Sequence, residues 1–226
     1  VKLEPGLTNF SAVFGPPAQG LFISFEGVEG SGKSTQIQRL EAHFKAQHRP
    51  VLNLREPGGT QFGEKLRATI LGQDLPINPL SETFVFLASR SQLLTEKILP
   101  FLEANPSAVV LLDRYVDSTL VYQALAQKRP LELIWTLHQF APLNTLPHVT
   151  FFLDIDVEVS LARQAARGQA KDYFESRSRN FQEELVNGYR TIARTYPERI
   201  QRIAAEADAD SVTQDILTAL TARGLK

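Results

Sequence analysis

The sequence predicts an α/β fold: a parallel sheet of about five strands, flanked by helices on both faces. Three observations predict it. Short apolar runs of strand type alternate with stretches of helical period from Leu21 to the C-terminus. The first run stops at a glycine-rich loop, and an amphipathic helix starts directly after it. Proline and glycine punctuate the junctions, as at Pro50, Pro57-Gly58-Gly59, Pro76 and Pro79.

The first strand is Leu21-Phe22-Ile23-Ser24-Phe25-Glu26, and Gly27-Val28-Glu29-Gly30-Ser31-Gly32-Lys33-Ser34-Thr35 follows it. Gly27, Gly32, Lys33 and Ser34 fill the pattern G-x-x-x-x-G-K-[ST], a P-loop. The glycines let successive backbone N–H groups face one concavity, which together with the positive end of the next helix suits a polyphosphate. Lys33 is placed to reach terminal phosphates, and the Ser34 hydroxyl to ligate magnesium. The flanking strand and helix set this loop apart from a chance glycine turn.

Upstream, residues 1–20 carry Pro5, Gly6, Gly15, Pro16 and Pro17 without a sustained period and read as an irregular N-terminal tail. Residues 21–226 read as one domain. After the loop, Ile37, Leu40 and Phe44 share a helical face. Val51-Leu52-Asn53-Leu54 is a short strand ending in Arg55-Glu56-Pro57-Gly58-Gly59-Thr60. In open α/β sheets such turns line the ligand crevice; a plain Pro-Gly turn is the other reading. Gln61 to Leu71 is helical, and a long helix runs from about Ser81, a capping residue, to Leu102, with a kink or early end at Pro100. On it Phe86 and Arg90 lie one turn apart. A ring beside a guanidinium suits a planar ligand, although local chemistry alone favours a core ring and a solvated charge.

Ala108-Val109-Val110-Leu111-Leu112 is the most apolar strand and runs into Asp113-Arg114-Tyr115. An acid at that position has the form of a second nucleotide-binding motif, whose carboxylate holds magnesium directly or through water. Asp113 as a mere helix cap is the competing reading, and the phosphate loop upstream weighs against it. Helical stretches follow at Asp117 to Leu125, with Tyr122 and Gln123, and at Leu131 to Phe140, where Trp135 reads as core and His138 as structural. Val149 to Leu153 is a strand, Val157 to Ala166 a helix, and another helix spans about Glu175 to Tyr196. Arg163, Arg167, Arg177 and Arg179 crowd around the Gly-containing break between these helices. Singly they read as solvated charges; as a cluster, at about 163–179, they suit a lid closing on phosphates. Arg199 to Ile203 is a final strand and Val212 to Leu220 the closing helix.

Composition narrows the function. Hydrophobic residues at 43% can fill a core, and a net charge of −1 argues against a nucleic-acid partner bound through a broad basic surface. With no cysteine there is no disulfide, zinc–thiolate or thiol chemistry, which fits a cytoplasmic location. No apolar run approaches a membrane span, and no secretory signal pattern is present, so no membrane partner is expected. Methionine is absent even at position 1, which reads as a processed start or a trimmed chain.

From about Gly20 to the closing helix the chain resembles the thymidylate kinase family of P-loop nucleoside monophosphate kinases. The resemblance rests on Phe25 to Thr35, Arg55 to Thr60, Phe84-Val85-Phe86-Leu87-Ala88-Ser89-Arg90, Asp113-Arg114-Tyr115 with Asp117-Ser118 and Tyr122-Gln123, and Leu153-Asp154, in that order. It implies ATP- and magnesium-dependent phosphorylation of dTMP to dTDP, a small helical lid and a homodimer. It also implies that Phe86 stacks on thymine, Arg90 bonds its carbonyl edge, and Arg55 and Arg114 hold the acceptor phosphate. Pro57 would wall the base pocket, Tyr122 would pack under the deoxyribose with Gln123 near sugar or base, and Ser118 would join the substrate site. Glu29 would address a sugar hydroxyl or magnesium water. Ser34 and Asp113 would hold the metal. Because Val28 and Glu29 are not basic, the chain resembles the bacterial lid-arginine type, with Arg163 and Arg167 as the lid cations beside Lys33 and Arg114.

Three departures stand out: Asp172-Tyr173-Phe174-Glu175 lacks the arginine of Asp-Arg-aromatic-Glu, Ala124 replaces a glycine, and Pro147-His148 replaces Pro-Asp. A phosphate acceptor is already anionic, so no strong general base is needed. The nearest alternative is another P-loop kinase, for a different nucleoside monophosphate or for a deoxynucleoside; the latter would need a base, with Glu56 the strand-end candidate. A non-catalytic nucleotide switch module is the more distant alternative.

Overall fold

The computed structural model describes residues 14–72, 76–167 and 178–225. Five strands form one parallel sheet in the order β2-β3-β1-β4-β5. They are β1 (Leu21–Glu26), β2 (Val51–Arg55), β3 (Val109–Asp113), β4 (Val149–Asp154) and β5 (Ile200–Ala204). The pattern follows from composition. β1 and β4 are buried along their whole length and β3 in all but its last residue, as near-continuous apolar runs covered on both faces must be; the buried hydroxyls of Ser24 and Thr150 bond to each other at 2.7 Å. The edge strands β2 and β5 carry Asn53, Arg55, Gln201 and Arg202 and are only partly covered.

Parallel strands need crossovers, and helices supply them. They are α1 (Lys33–Ala46), α2 (Gln61–Leu71), α3 (Pro79–Leu93), α4 (Leu99–Ala104), α5 (Val116–Thr119), α6 (Leu131–His138), α7 (Val157–Arg167), α8 (Arg179–Thr195) and α9 (Ala209–Ala222). The register sets Phe25 of β1 opposite Asp113 of β3, so the phosphate loop and the strand-end acid leave the sheet side by side.

Several boundaries differ from the sequence reading. The long helix starts at Pro79, not Ser81: the Asn78 side chain accepts the Leu80 N–H, and Pro79 takes the first helical position, where its missing N–H costs nothing. Pro100 does not end this helix. A π turn at Leu94–Ile98 widens it just ahead of the proline, whose ring would otherwise press on the carbonyl four residues earlier. The segment after Asp113 is likewise mixed, α5 passing through a π turn at Leu120–Ala124 into a 3₁₀ turn at Leu125–Gln127.

The end of the expected tail is packed on the body. Phe14 is buried edge-on against Trp135 at 5.3 Å, and Gly15 bridges to Thr145. An aromatic ring in an otherwise irregular segment explains the anchoring. Residues 1–13 lie outside the described residues, as do 168–177, which include Arg177 and Asp172 to Glu175. Among the described residues no helix is long and apolar enough to cross a membrane.

Candidate active site

The phosphate loop takes its shape from its glycines. Gly27 has φ 141°, and a Cβ there would lie 2.7 Å from the Leu153 carbonyl and 2.9 Å from Ser31 Oγ. Gly32, at φ 95°, opens α1 without a side-chain cap, leaving the first N–H groups of the helix facing the crevice mouth. Lys33 is buried, and its Nζ donates to the Gly27 and Val28 carbonyls at 3.1 Å each. Burial, and the charge of Arg114, push its pKa down. The carboxylates of Asp113, Glu29 and Glu26 act the other way without outweighing burial, so a further anion beside Lys33 is favoured. Asp113 Oδ1 is buried without a hydrogen-bond partner among the described residues, and Asp113 and Ser34 line the same crevice. An orphaned carboxylate oxygen beside a hydroxyl is a donor set suited to a hard cation. Ser31 Oγ is similarly unpartnered.

The crevice encloses about 310 Å³ and runs from Glu29, Gly30, Ser34 and Thr35 to Phe86 and Arg90. Arg55, Pro57, Arg114, Ser118, Tyr122 and Gln123 also line it. Residues from six separated stretches of sequence therefore meet in one cavity, Arg67, Leu71 and Gln182 adding to those above.

Arg90 is not a solvated charge. It is 1% exposed and grips Glu56, its Nη2 2.5 Å from Oε2 and its Nε within 3.1 Å of both oxygens. Nη2 also donates to Thr119 Oγ1 at 3.0 Å, and Nη1 to His138 Nε2 at 2.8 Å. The guanidinium lies over the Tyr115 ring. His138 Nδ1 is 2.7 Å from the Ile134 carbonyl, which can only accept, so the ring is the neutral Nδ1–H tautomer and Nε2 accepts from Arg90. Burial first, then Arg90's charge, push the His138 pKa down to about 3. One Nη1 hydrogen of Arg90 is left without a partner among the described residues, on a side chain that lines the crevice. Glu56, the base that a hydroxyl acceptor would need, has both oxygens committed to Arg90.

Arg114 stands at the middle of the crevice with φ 69°, a left-handed backbone rare for a side-chain-bearing residue. Its N–H bonds the Phe25 carbonyl at 2.9 Å, and its guanidinium lies over the Tyr122 ring at 5.3 Å. Nη1 donates to the Gly27 carbonyl at 3.1 Å, and Nη2 is 3.5 Å from a Glu29 oxygen. Arg55 pairs with Glu64 at 3.0 Å, and Gln123 donates to Glu82 at 2.9 Å.

Arg163 is placed differently from a lid cation. It sits on α7 with Nη1 on the Gly30 and Ala205 carbonyls, at 3.2 and 3.0 Å, and Nη2 on the Glu206 carbonyl. Its charge thus ties the phosphate loop to the end of β5, outside the crevice lining. The side chain of Arg167 lies outside the described residues. The sequence reading missed Arg67, Gln182, Glu26 and Tyr189. Arg67 and Gln182 line the crevice, and Arg67 donates to the Pro57 carbonyl at 3.0 Å. Gln182 and Tyr189 interrupt the apolar face of α8 at helical spacing with Leu185 and Val186, a signal that was present in the sequence.

The family model for thymidylate kinase matches residues 25–216. A thymidylate kinase from Thermoanaerobacter sp. (strain X514) is 39% identical over 199 residues, covering 88% of this chain and 96% of that protein. One from Alkalilimnicola ehrlichii is 38% identical over 203 residues, covering 89% and 91% respectively. The crystal structure of thymidylate kinase from Ehrlichia chaffeensis matches with a TM-score of 0.72 at 27% identity, over 89% of this chain and 99% of that one.

Proposed function

The chain belongs to the thymidylate kinase family and phosphorylates dTMP with ATP as donor, and from that premise we propose how the crevice does so. The phosphate loop, residues 27–35, takes the donor's phosphates on its backbone N–H groups, with Lys33 at the terminal ones. The pyrimidine of dTMP stacks on Phe86, and the remaining Nη1 hydrogen of Arg90 meets a ring carbonyl. Pro57 closes the base pocket, and Tyr122 supports the sugar with Gln123 beside it. Glu29 addresses a sugar hydroxyl or metal-bound water. Arg55 and Arg114 hold the acceptor phosphate, and Ser118 lines the substrate site beside them. The observation that carries this reading is the single cavity joining a phosphate loop to a ring and a buried arginine with one donor left.

Magnesium fits the orphaned Asp113 Oδ1 and the Ser34 hydroxyl, and when bound it would supply charge neutralisation between the phosphates. The chemistry the chain itself performs is electrostatic. Lys33 and Arg114, with a lid arginine for which Arg167 is the candidate, offset the repulsion between two polyanions and stabilise charge on the migrating group. Water exclusion by the lid limits wasteful hydrolysis of ATP.

We further propose a homodimer joined through α2 and α3, which pack together and expose Phe62, Leu80 and Phe84. A cytoplasmic location and independence from nucleic acid and membranes complete the reading.

An acceptor panel with magnesium-ATP, reading ADP release for dTMP, dUMP, dCMP and thymidine, tests it. The expected order places dTMP first and leaves thymidine unphosphorylated. Phosphorylation of thymidine in preference to dTMP would overturn the reading and reassign Glu56 as a base.

A further inference from the structure

Arg114 does not hold its position alone. Behind it lies a buried cluster that neither the loop motif nor the base pocket accounts for: Glu26, the last residue of β1, together with Ser118 of α5 and Tyr189 of α8. Glu26 and Tyr189 are fully buried. Glu26 Oε1 accepts the Tyr115 N–H at 2.7 Å. Its Oε2 accepts from the Ser118 hydroxyl at 2.6 Å and the Tyr189 hydroxyl at 3.2 Å, while those two hydroxyls lie 2.8 Å apart. Arg114 Nη1 in turn lies 3.4 Å from Ser118 Oγ and 3.2 Å from the Tyr189 oxygen.

Hydrogen counting gives this cluster a direction. A guanidinium only donates, and Glu26 Oε1 is already taken by the Tyr115 N–H. Each hydroxyl has one hydrogen, and the short contacts among Glu26 Oε2, Ser118 Oγ and the Tyr189 oxygen hold that hydrogen inside the triangle whether or not the carboxyl carries a proton. That of Tyr189 points to Glu26 or to Ser118. In both cases the lone pairs of the hydroxyls remain for Arg114. We propose that Glu26 and Tyr189 are positioning residues for Arg114: the carboxylate orients the two hydroxyls, the hydroxyls seat the guanidinium toward the acceptor phosphate, and Tyr189 makes that seat depend on α8. The same helix places Gln182 in the crevice and packs Phe181 edge-on against Tyr122, so its register is shared by both contacts. The proposal rests on the reading of Arg114 as an acceptor-phosphate cation.

Tyr189→Phe removes one oxygen and keeps the ring, which stacks on Phe152 at 5.3 Å, so the fold is retained. The experiment is calorimetric binding of dTMP and of thymidine, which lacks the phosphate, to wild type, Tyr189→Phe, Arg114→Met and the double variant. The expected result is a loss of dTMP affinity of about tenfold in Tyr189→Phe. The same change in the Arg114→Met background should cost less than twofold, with thymidine affinity unaltered throughout. An undiminished loss in the Arg114→Met background, or an equal loss for thymidine, would overturn the proposal. No change in dTMP affinity in Tyr189→Phe would overturn it too, while leaving Arg114's role standing. If Arg114→Met itself spares dTMP, the reading of Arg114 fails instead.

Discussion

Arg90 cannot be removed without disturbing Glu56. Alanine at position 90 would strand a buried carboxylate and cost about 3–5 kcal/mol of stability, mixing folding with recognition. Arg90→Lys keeps a cation near Glu56 but loses the fork. It should raise KM for dTMP about tenfold or more while leaving KM for ATP unchanged, by steady-state kinetics with each substrate varied. His138, which seats the other side of the fork, should remain neutral and protonated at Nδ1 from pH 5 to 8 in nitrogen NMR, since its pKa lies near 3. Lys33→Ala should reduce kcat by about 100-fold or more, with unfolding free energy within about 1 kcal/mol of wild type. Glu26 gives a pH signature of opposite sign to an ordinary salt-bridged acid. Burial first, then the charge of Asp117, raise its pKa from 4.5 to about 8. The native state therefore holds more protons than the unfolded chain across that window, and Glu26's contribution to stability is lost as pH rises through it. In urea melts from pH 5 to 8.5, wild type should lose stability relative to Glu26→Gln, at up to about 1.4 kcal/mol per pH unit. None of these couplings was legible in the sequence. His138 and Arg90 are 48 positions apart and Tyr189 and Glu26 are 163 apart, and no local period links them.

The elements themselves were largely readable, because β3 is an unbroken apolar run up to Asp113, β1 and β4 are broken only by Ser24 and Thr150 before their terminal acids, and each ends in polar or glycine punctuation. The loop was readable for the same reason, its glycines standing where only glycine fits. Gly27→Ala would force a Cβ against the Leu153 carbonyl in a backbone conformation at φ 141°, so it should lose measurable ATP binding and destabilise the fold by about 1–3 kcal/mol. Equilibrium titration with a fluorescent ATP analogue and thermal melting would check both effects. The irregular helices were not readable. Nothing in the period of residues 94–98 or 120–124 distinguishes a π turn from an α turn, and the widening answers Pro100 in the first case. Asn78 and Pro79 carry the cap in the sequence itself, since a proline that breaks one helix also suits the first position of the next. A buried pair also joins two distant elements: Asp117 of α5 takes both Nη atoms of Arg199, at 2.5 and 2.6 Å, just before β5 begins. Arg199→Ala should therefore cost about 3–5 kcal/mol in chemical denaturation, although it lies outside the crevice.

At the scale of the molecule, one crevice at the C-terminal ends of the strands joins a phosphate-loop end built on β1 and α1 to an end built on β2, α3 and α5 that carries Phe86 and Arg90. The loop was legible from a contiguous motif, whereas Phe86 and Arg90, which look locally like core and solvent, were expected at one site only through family resemblance. The charge of Arg163 faces the carbonyls of the loop and of the residues after β5, outside the crevice lining. The central claim is that two nucleotides lie end to end in this cavity, and a crystal structure with dTMP and a non-hydrolysable ATP analogue tests it most directly. The account predicts the pyrimidine stacked on Phe86 with a carbonyl within hydrogen-bond distance of Arg90 Nη1, and the dTMP phosphate on Arg114. A pyrimidine bound away from Phe86, or a dTMP phosphate out of reach of Arg114, would contradict it.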